Sequence, residues 1–197
     1  SMLLAAGRLS RDDGVVDVPR ASRDILLFNK SHHAQMSLLL QQGAAFGLTD
    51  LTLGVVEPRP LAAQVSLDNY GVASTGTLQA SASVNSYGAF GIDDNLMLLG
   101  TASLGSLAGT VTYDMPVSTF GTRLALGATA STIRVIDGPT VDLDITGRSV
   151  SLTGTLSQTL LARSDLTLQG LVTASVGASQ SFAAGVPLAD GILTKLA

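Results

Sequence analysis

From Thr77 onward the chain alternates without a break: Thr77, Gln79, Ser81, Ser83 and Asn85 take the odd positions, and Leu78, Ala80, Ala82 and Val84 the even ones. Successive side chains of a strand point to opposite faces, so a period of two predicts a strand with one apolar and one polar face. The pattern returns along the chain. In "LAGTVTYDM", Leu107, Gly109, Val111, Tyr113 and Met115 oppose Ala108, Thr110, Thr112 and Asp114; in "GTRLALGATAST", Leu124, Leu126, Ala128 and Ala130 oppose Arg123, Thr129 and Ser131. "SVSLTGTLSQ" sets Val150, Leu152 and Leu156 against Ser149, Ser151, Thr153, Thr155 and Ser157, and "DLTLQGLVTASV" sets Leu166, Leu168, Val172 and Val176 against Thr167, Gln169, Thr173 and Ser175. Seven or eight such segments, each about ten residues long and bounded by turn residues, predict an antiparallel meander over residues 61–197.

Residues 1–60 follow a different grammar. In "VPRASRDILLFNK", Asp17 is a candidate N-cap, Pro19 falls in the first turn where its missing N–H costs nothing, and Ile25, Leu26 and Phe28 share a side, which predicts a helix over Pro19–Lys30. After a turn at Ser31-His32, "AQMSLLLQ" and "TDLTLGVV" read as two strands separated by the Gly-rich "QGAAFGLTD". "EPRP", Glu57 to Pro60, then interrupts any ladder, because proline supplies no donor and restricts the residue before it. The domain boundary is placed there, giving 1–60 and 61–197.

Composition changes what the polar faces mean. Charged residues make up 13% of the chain, against about 25% in typical domains, mean hydropathy is +0.40, Trp is absent and aromatics reach only 4%. A net charge of -4, with Lys and Arg scattered, leaves no footprint for nucleic-acid phosphate. With no Cys there is neither a disulfide framework nor a thiolate metal site. No run approaches the roughly 20 apolar residues of a spanning helix, so any membrane role must use strands. The opening "SMLLAAGRLS" lacks a basic leader and a full apolar core for a secretory signal; Ser1-Met2 reads as a cloning remnant, with natural sequence expected upstream.

A water-exposed sheet normally carries charges that discourage edge-to-edge aggregation. Here the polar face is Ser, Thr, Gln, Asn, Ala and Gly, and the charges gather at segment ends, at Asp93-Asp94, Asp137, Asp142, Asp144 and Arg163 to Asp165. An apolar face with an uncharged polar opposite suits a transmembrane barrel, its polar side chains turned to the lumen. The aromatic girdle expected of a barrel is thin: Tyr70, Tyr87, Phe90, Tyr113 and Phe120 lie near strand ends. A soluble β-sandwich alternates in the same way, and composition alone leaves barrel and sandwich both open.

The order of several motifs goes further. "EPRPLAAQVSLDNYGVASTGTLQASASVN", then "DDNLMLLGTAS", "AGTVTYDMPVSTFGTRLALGATAS" and "RSVSLTGTLSQTLL" resemble the outer-membrane transporters of two-partner secretion, the hemolysin-activator family. "LDNYG" at Leu67 to Gly71, Thr75-Gly76, "DNLML", "YDMPV" and "GTRLALGA" carry the likeness, which covers roughly residues 20–175. The stretch from Ser22 to Pro60 is similar to the closing helix-strand-strand of that family's second POTRA domain. The fold class expected is mainly β, an antiparallel meander of a partial transmembrane β-barrel preceded by the end of an α+β POTRA domain. The resemblance implies a barrel that exports an unfolded exoprotein across the outer membrane without ATP, with the N-terminal domain in the periplasm and no cofactor. The chain holds about half the strands such a barrel needs, and the later part with the pore-plugging loop is not in it; a fragment, a truncated product and a piece closing on itself or on copies through open strand edges all stay open.

On this reading Thr77, Gln79, Ser81, Ser83, Asn85 and Arg123 face the lumen, Leu78 to Val84 face lipid, and Asp68 to Gly76 form a junction turn between periplasm and membrane. The strand Gln35, Met36, Ser37, Leu38, Leu39 and Leu40, expected at the edge of a small sheet, is the candidate site for an extended partner peptide, since an edge adds a strand through backbone bonds with little sequence demand. The plainer alternative is that it only packs under Ile25 to Phe28. No G-x-S-x-G, H-E-x-x-H, P-loop or G-x-G-x-x-G occurs, so no enzyme is expected. His32 and His33 are adjacent and expected to point apart rather than converge on a metal; Asp142 and Asp144 read better as a solvated loop than as a calcium or acid/base pair. Asp68-Asn69 reads as a turn whose side chain bonds its own backbone. The competing functional class is a soluble or secreted all-β adhesion or structural domain.

Overall fold

The computed structural model describes residues 18–43, 49–91, 93–118, 121–162 and 165–196. Helix α1 (Val18–Ser31) extends the predicted segment by one residue at each end; Asp17 lies outside the described residues. It stops where Ser31 turns its hydroxyl back onto the carbonyls of Leu27 (2.8 Å) and Phe28 (3.3 Å), a local bond that competes with further helix. The ring of His32 stacks on Phe28 with centroids 4.1 Å apart. Strands β1 (Gln35–Gln42) and β2 (Thr49–Val56) then pair antiparallel over eight residues without a bulge, from Gln35↔Val56 to Gln42↔Thr49. β1 packs against α1, and Met36 is its one buried side chain.

Neither proline of the 57–60 segment lies in a strand, although the Pro60 carbonyl accepts Tyr87 N–H (2.9 Å); strand structure resumes at Leu61. Eight strands follow: β3 (Leu61–Asp68), β4 (Gln79–Tyr87), β5 (Asn95–Ser103), β6 (Ser106–Pro116), β7 (Thr122–Arg134), β8 (Thr146–Ala162), β9 (Thr167–Ala183) and β10 (Val186–Leu196). They form one sheet in chain order, each strand beside its sequence neighbour, so β3 and β10 are its edges. Short connections and period-two patterns dictate this meander, since a two-residue link such as Leu104-Gly105 can only reverse the chain onto the adjacent position.

The chain divides into two compact units. One holds residues up to Pro58 with Pro116–Arg123 and Ser157–Leu171; the other holds Arg59–Met115, Leu124–Leu156 and Val172 onward. One expectation needs correction. Thr77 and Leu78 precede β4, whose ladder opens at Gln79↔Asp68; the Thr77 carbonyl instead accepts the N–H of Gly71 (2.9 Å) and closes the loop. That loop lies at the end of β3 away from Leu61, the residue that follows 57–60.

Candidate functional site

The inner strands of the eight-stranded sheet turn their polar residues to the covered face and their apolar ones outward, whereas the edge strands β3 and β10 are exposed on both faces. Along β8, Ser149, Ser151, Thr153, Thr155 and Ser157 are half-buried, while Val150, Leu152 and Leu156 are exposed. Elsewhere Val65 is 77% exposed, Leu107 61% and Val172 55%. The hydroxyls bond one another across strands: Thr110 to Thr129 (3.2 Å), Ser131 to Ser149 (2.7 Å) and Thr155 to Thr173 (3.1 Å). Each such pair contributes about 0.2–1 kcal/mol and fixes which face is polar. A sheet that satisfies its polar side against itself and leaves its leucines and valines open is ordered for an apolar surrounding.

Gln79, Ser81, Ser83 and Asn85 lie on this polar face of β4, opposite Asp68, Ser66, Gln64 and Ala62 of β3 and Ser103, Thr101, Leu99 and Met97 of β5. Gln79, Ser81 and Ser83 are half-buried and Asn85 is exposed. Thr77 is not brought to the face. Arg123 shares the polar parity of Thr129 along β7, but its guanidinium is committed: it donates to the carbonyl oxygen of Ser31 (3.2 Å) and to Nδ1 of His33 (3.0 Å). A cation at the C-terminal carbonyls of α1 is favoured by the helix dipole. Gly121, with φ +82, lets the chain pass so close to Ser31 that an added Cβ would stand 2.8 Å from the Ser31 Cβ. His32 bonds Ser31 and Phe28 instead, so the two histidines take different partners.

The ends of the strands are tied down separately. Beyond β3, Thr75 receives Gly105 N–H (2.7 Å) and the Ser103 hydroxyl (2.8 Å), Ser74 receives Ile136 N–H (2.8 Å), and Gly105 receives Arg134 N–H (2.7 Å). The Leu143 carbonyl takes Ala184 N–H (2.9 Å), and Arg134 pairs with Asp144 (2.9 Å). Asp142 and Asp144 therefore sit in a 3-10 turn and its cap, Asp144 serving Arg134 rather than a shared cation site. Asp68 accepts Tyr70 N–H (3.1 Å), the expected side-chain turn. At the opposite end, the 88–94 turn closes over Asp94, 1% exposed: its Oδ2 accepts Tyr113 Oη–H (2.8 Å) and Phe90 N–H (2.9 Å), while Phe90 meets Tyr113 edge-on at 5.7 Å. Burial alone would raise the Asp94 pKa; donors from Tyr113, Phe90, Gly91 and its own backbone outweigh it and hold the carboxyl below its ordinary value. Phe120 lies outside the described residues.

The strand Gln35 to Leu40 lies within β1, which among the described residues pairs with β2 on one side only. Its parity is set by a residue the sequence reading passed over. Asn29 of α1 accepts Met36 N–H on Oδ1 (2.6 Å) and donates through Nδ2 to the Met36 carbonyl (2.8 Å). The one sequence signal is an asparagine, a poor helix former, near the end of the predicted helix.

Among known proteins, the family model described as "Haemolysin secretion/activation protein ShlB/FhaC/HecB" matches residues 47–189. CdiB from Escherichia coli superposes with a TM-score of 0.72 at 19% identity, over 93% of this chain and 35% of that one. CdiB from Acinetobacter baumannii gives 0.62 at 17%, over 93% and 36%. BamA from Haemophilus ducreyi lacking POTRA domains 1-3 gives 0.56 at 12%, over 92% and 33%. The chain thus spans about a third of the length of these structures, and at such identities the likeness is one of fold. No curated protein sequence matches significantly.

Proposed function

Because the chain belongs to the haemolysin secretion/activation ShlB/FhaC/HecB family, we propose that it forms part of an outer-membrane barrel that exports a partner polypeptide. Residues 61–197 are the N-terminal half of the barrel wall, and residues 1–60 are the end of a POTRA-like domain on the periplasmic side. The observation that carries this is the inverted sheet: exposed Val65, Leu107, Leu152 and Val172 opposite hydroxyls that bond one another. Strands β4, β5 and β6, of 9, 9 and 11 residues, have the length that a tilted barrel strand of about 9–11 residues needs.

In this reading Gln79, Ser81, Ser83 and Asn85 line the conduit. An uncharged lining of hydroxyls and amides offers an extended chain weak, exchangeable hydrogen bonds, so that it passes without being held. Arg123 holds the C-terminal end of α1, and β1 offers the incoming polypeptide a backbone edge through Gln35 to Leu40. Transport of an unfolded chain through such a wall uses no ATP site and no cofactor. In hydrocarbon the edges along β3 and β10 require a pairing partner, since unpaired backbone groups do not lie there.

The absence of Trp makes the test direct. In vesicles carrying brominated acyl chains, Val65→Trp and Leu152→Trp are expected to be quenched strongly and Ser83→Trp and Ser151→Trp weakly. Equal quenching from both faces, or a chain that remains monomeric and folded in plain buffer, would overturn the membrane assignment and favour a soluble all-β adhesion or structural domain.

A further inference from the structure

Exposed strand edges are normally blunted by lysine, proline, a bulge or shortness. β1 uses none of these: Gln35 to Gln42 is uncharged, free of proline and paired to β2 over eight residues without a register shift. One place along its outer side is nevertheless occupied. In an antiparallel pair, alternate residues aim both backbone groups at the partner strand or both away from it. Met36 gives both its N–H and its C=O to the Asn29 side chain, so it is an outward-aimed residue. By the same alternation Leu38, Leu40 and Gln42 aim outward too, whereas Gln35, Ser37, Leu39 and Gln41 bond β2.

The Asn29 amide therefore does at Met36 what a residue of an added strand would do: it accepts the N–H and donates to the carbonyl. We propose that Asn29 is a register stop, so that an extended segment of the exported polypeptide joins β1 along Leu38, Leu40 and Gln42 and ends against Asn29. This rests on the reading of β1 as the receiving edge. The occupant is an unfolded polypeptide because, among the described residues, no strand pairs with the outer backbone groups of Leu38, Leu40 and Gln42, and the edge carries no charge to select side chains. Such an edge reads the one feature that every unfolded chain shares. The stop supplies what backbone pairing lacks, a fixed starting point, so the segment cannot slide along β1 toward α1.

Amide exchange resolved by residue, on the whole chain in detergent micelles, tests this with a neutral eight-residue peptide of alternating Thr and Val as probe. In the wild type the peptide is expected to slow exchange at Leu38 and Leu40 at least tenfold and to leave Met36, already protected, unchanged. In Asn29→Ala, Met36 is expected to exchange fast alone and to become protected with peptide, as the footprint lengthens by one pair. Asn29→Asp keeps the acceptor for Met36 N–H but replaces the donor to the Met36 carbonyl with a second acceptor, and is expected to fall between wild type and Asn29→Ala. Protection at Ser37 and Leu39, which bond β2, reports whether each variant keeps its hairpin; if Asn29→Ala loses it, Asn29→Ser takes its place. Identical footprints in wild type and the truncated variant would overturn the register stop while leaving the receiving edge intact. No protection of Leu38 and Leu40 in any variant would overturn the receiving edge itself. Protection that grows with protein concentration in the absence of peptide would assign the edge to a second copy and overturn both.

Discussion

Asp94 and Gly121 each do work that their neighbours define. Asp94 closes the 88–94 turn most strongly as a carboxylate, with Oδ2 accepting from Tyr113 and Phe90. Its pKa is lower folded than unfolded, so this contribution is complete above the unfolded value and disappears as pH falls through the folded one. The Phe90 amide resonance is expected to titrate with a midpoint below the usual carboxylate value of about 3.9, and Tyr113→Phe should move the midpoint upward; a midpoint above the usual value would refute the assignment. Gly121 faces a steric limit instead. At φ +82, with Ser31 2.8 Å from any added Cβ, Gly121→Ala is expected to cost about 1–3 kcal/mol in urea unfolding. It should also speed exchange at His33 by freeing the C-terminal end of α1, which Arg123 holds. None of these partnerships was legible in the sequence. Ser31 and Arg123 lie 92 positions apart, and no local pattern records such a pairing; Phe90 and Asp94 are only four apart, but a loop without periodicity does not say which side chain closes it.

At the scale of elements the sequence spoke clearly. A period of two is a local consequence of strand geometry, so the alternations at Leu107 to Met115 and at Ser149 to Ser157 appear as β6 and β8 with the expected faces. The helix is legible because Pro19 and the Ile25, Leu26 and Phe28 side mark it within one turn of its ends. Where reading failed, at Thr77 and Leu78, alternation ran on past the true end of the ladder. Pairing stops when the partner strand does, and β3 ends at Asp68, opposite Gln79. The face assignment makes a sharp prediction for β8: in a lipid-bound chain, Leu152→Lys is expected to cost about 2–4 kcal/mol, as a charge near the bilayer midplane does. Ser151→Lys, one residue away on the hydroxyl face, should cost far less. Urea unfolding from detergent or lipid measures both, and equal costs would count against a lipid-facing Leu152.

For the molecule as a whole, the ordered motifs pointed to the secretion family, and the match over residues 47–189 establishes membership. The sequence by itself determined the alternation of apolar and polar positions and bounded the strands at seven or eight, because each follows from neighbouring residues along one chain; it did not fix their lengths, since β8 and β9 run to 17 residues each. Only the tertiary structure decided that the polar faces bond one another while the apolar faces stay open, since that depends on register between strands. It also decided that the 69–78 loop lies at the far end of β3, that Arg123 holds α1, and that Asn29 occupies the edge at Met36. The physical reason is the same throughout: periodicity is written within a strand, whereas what lies beside a residue is fixed by pairing, and pairing joins positions that the sequence holds apart.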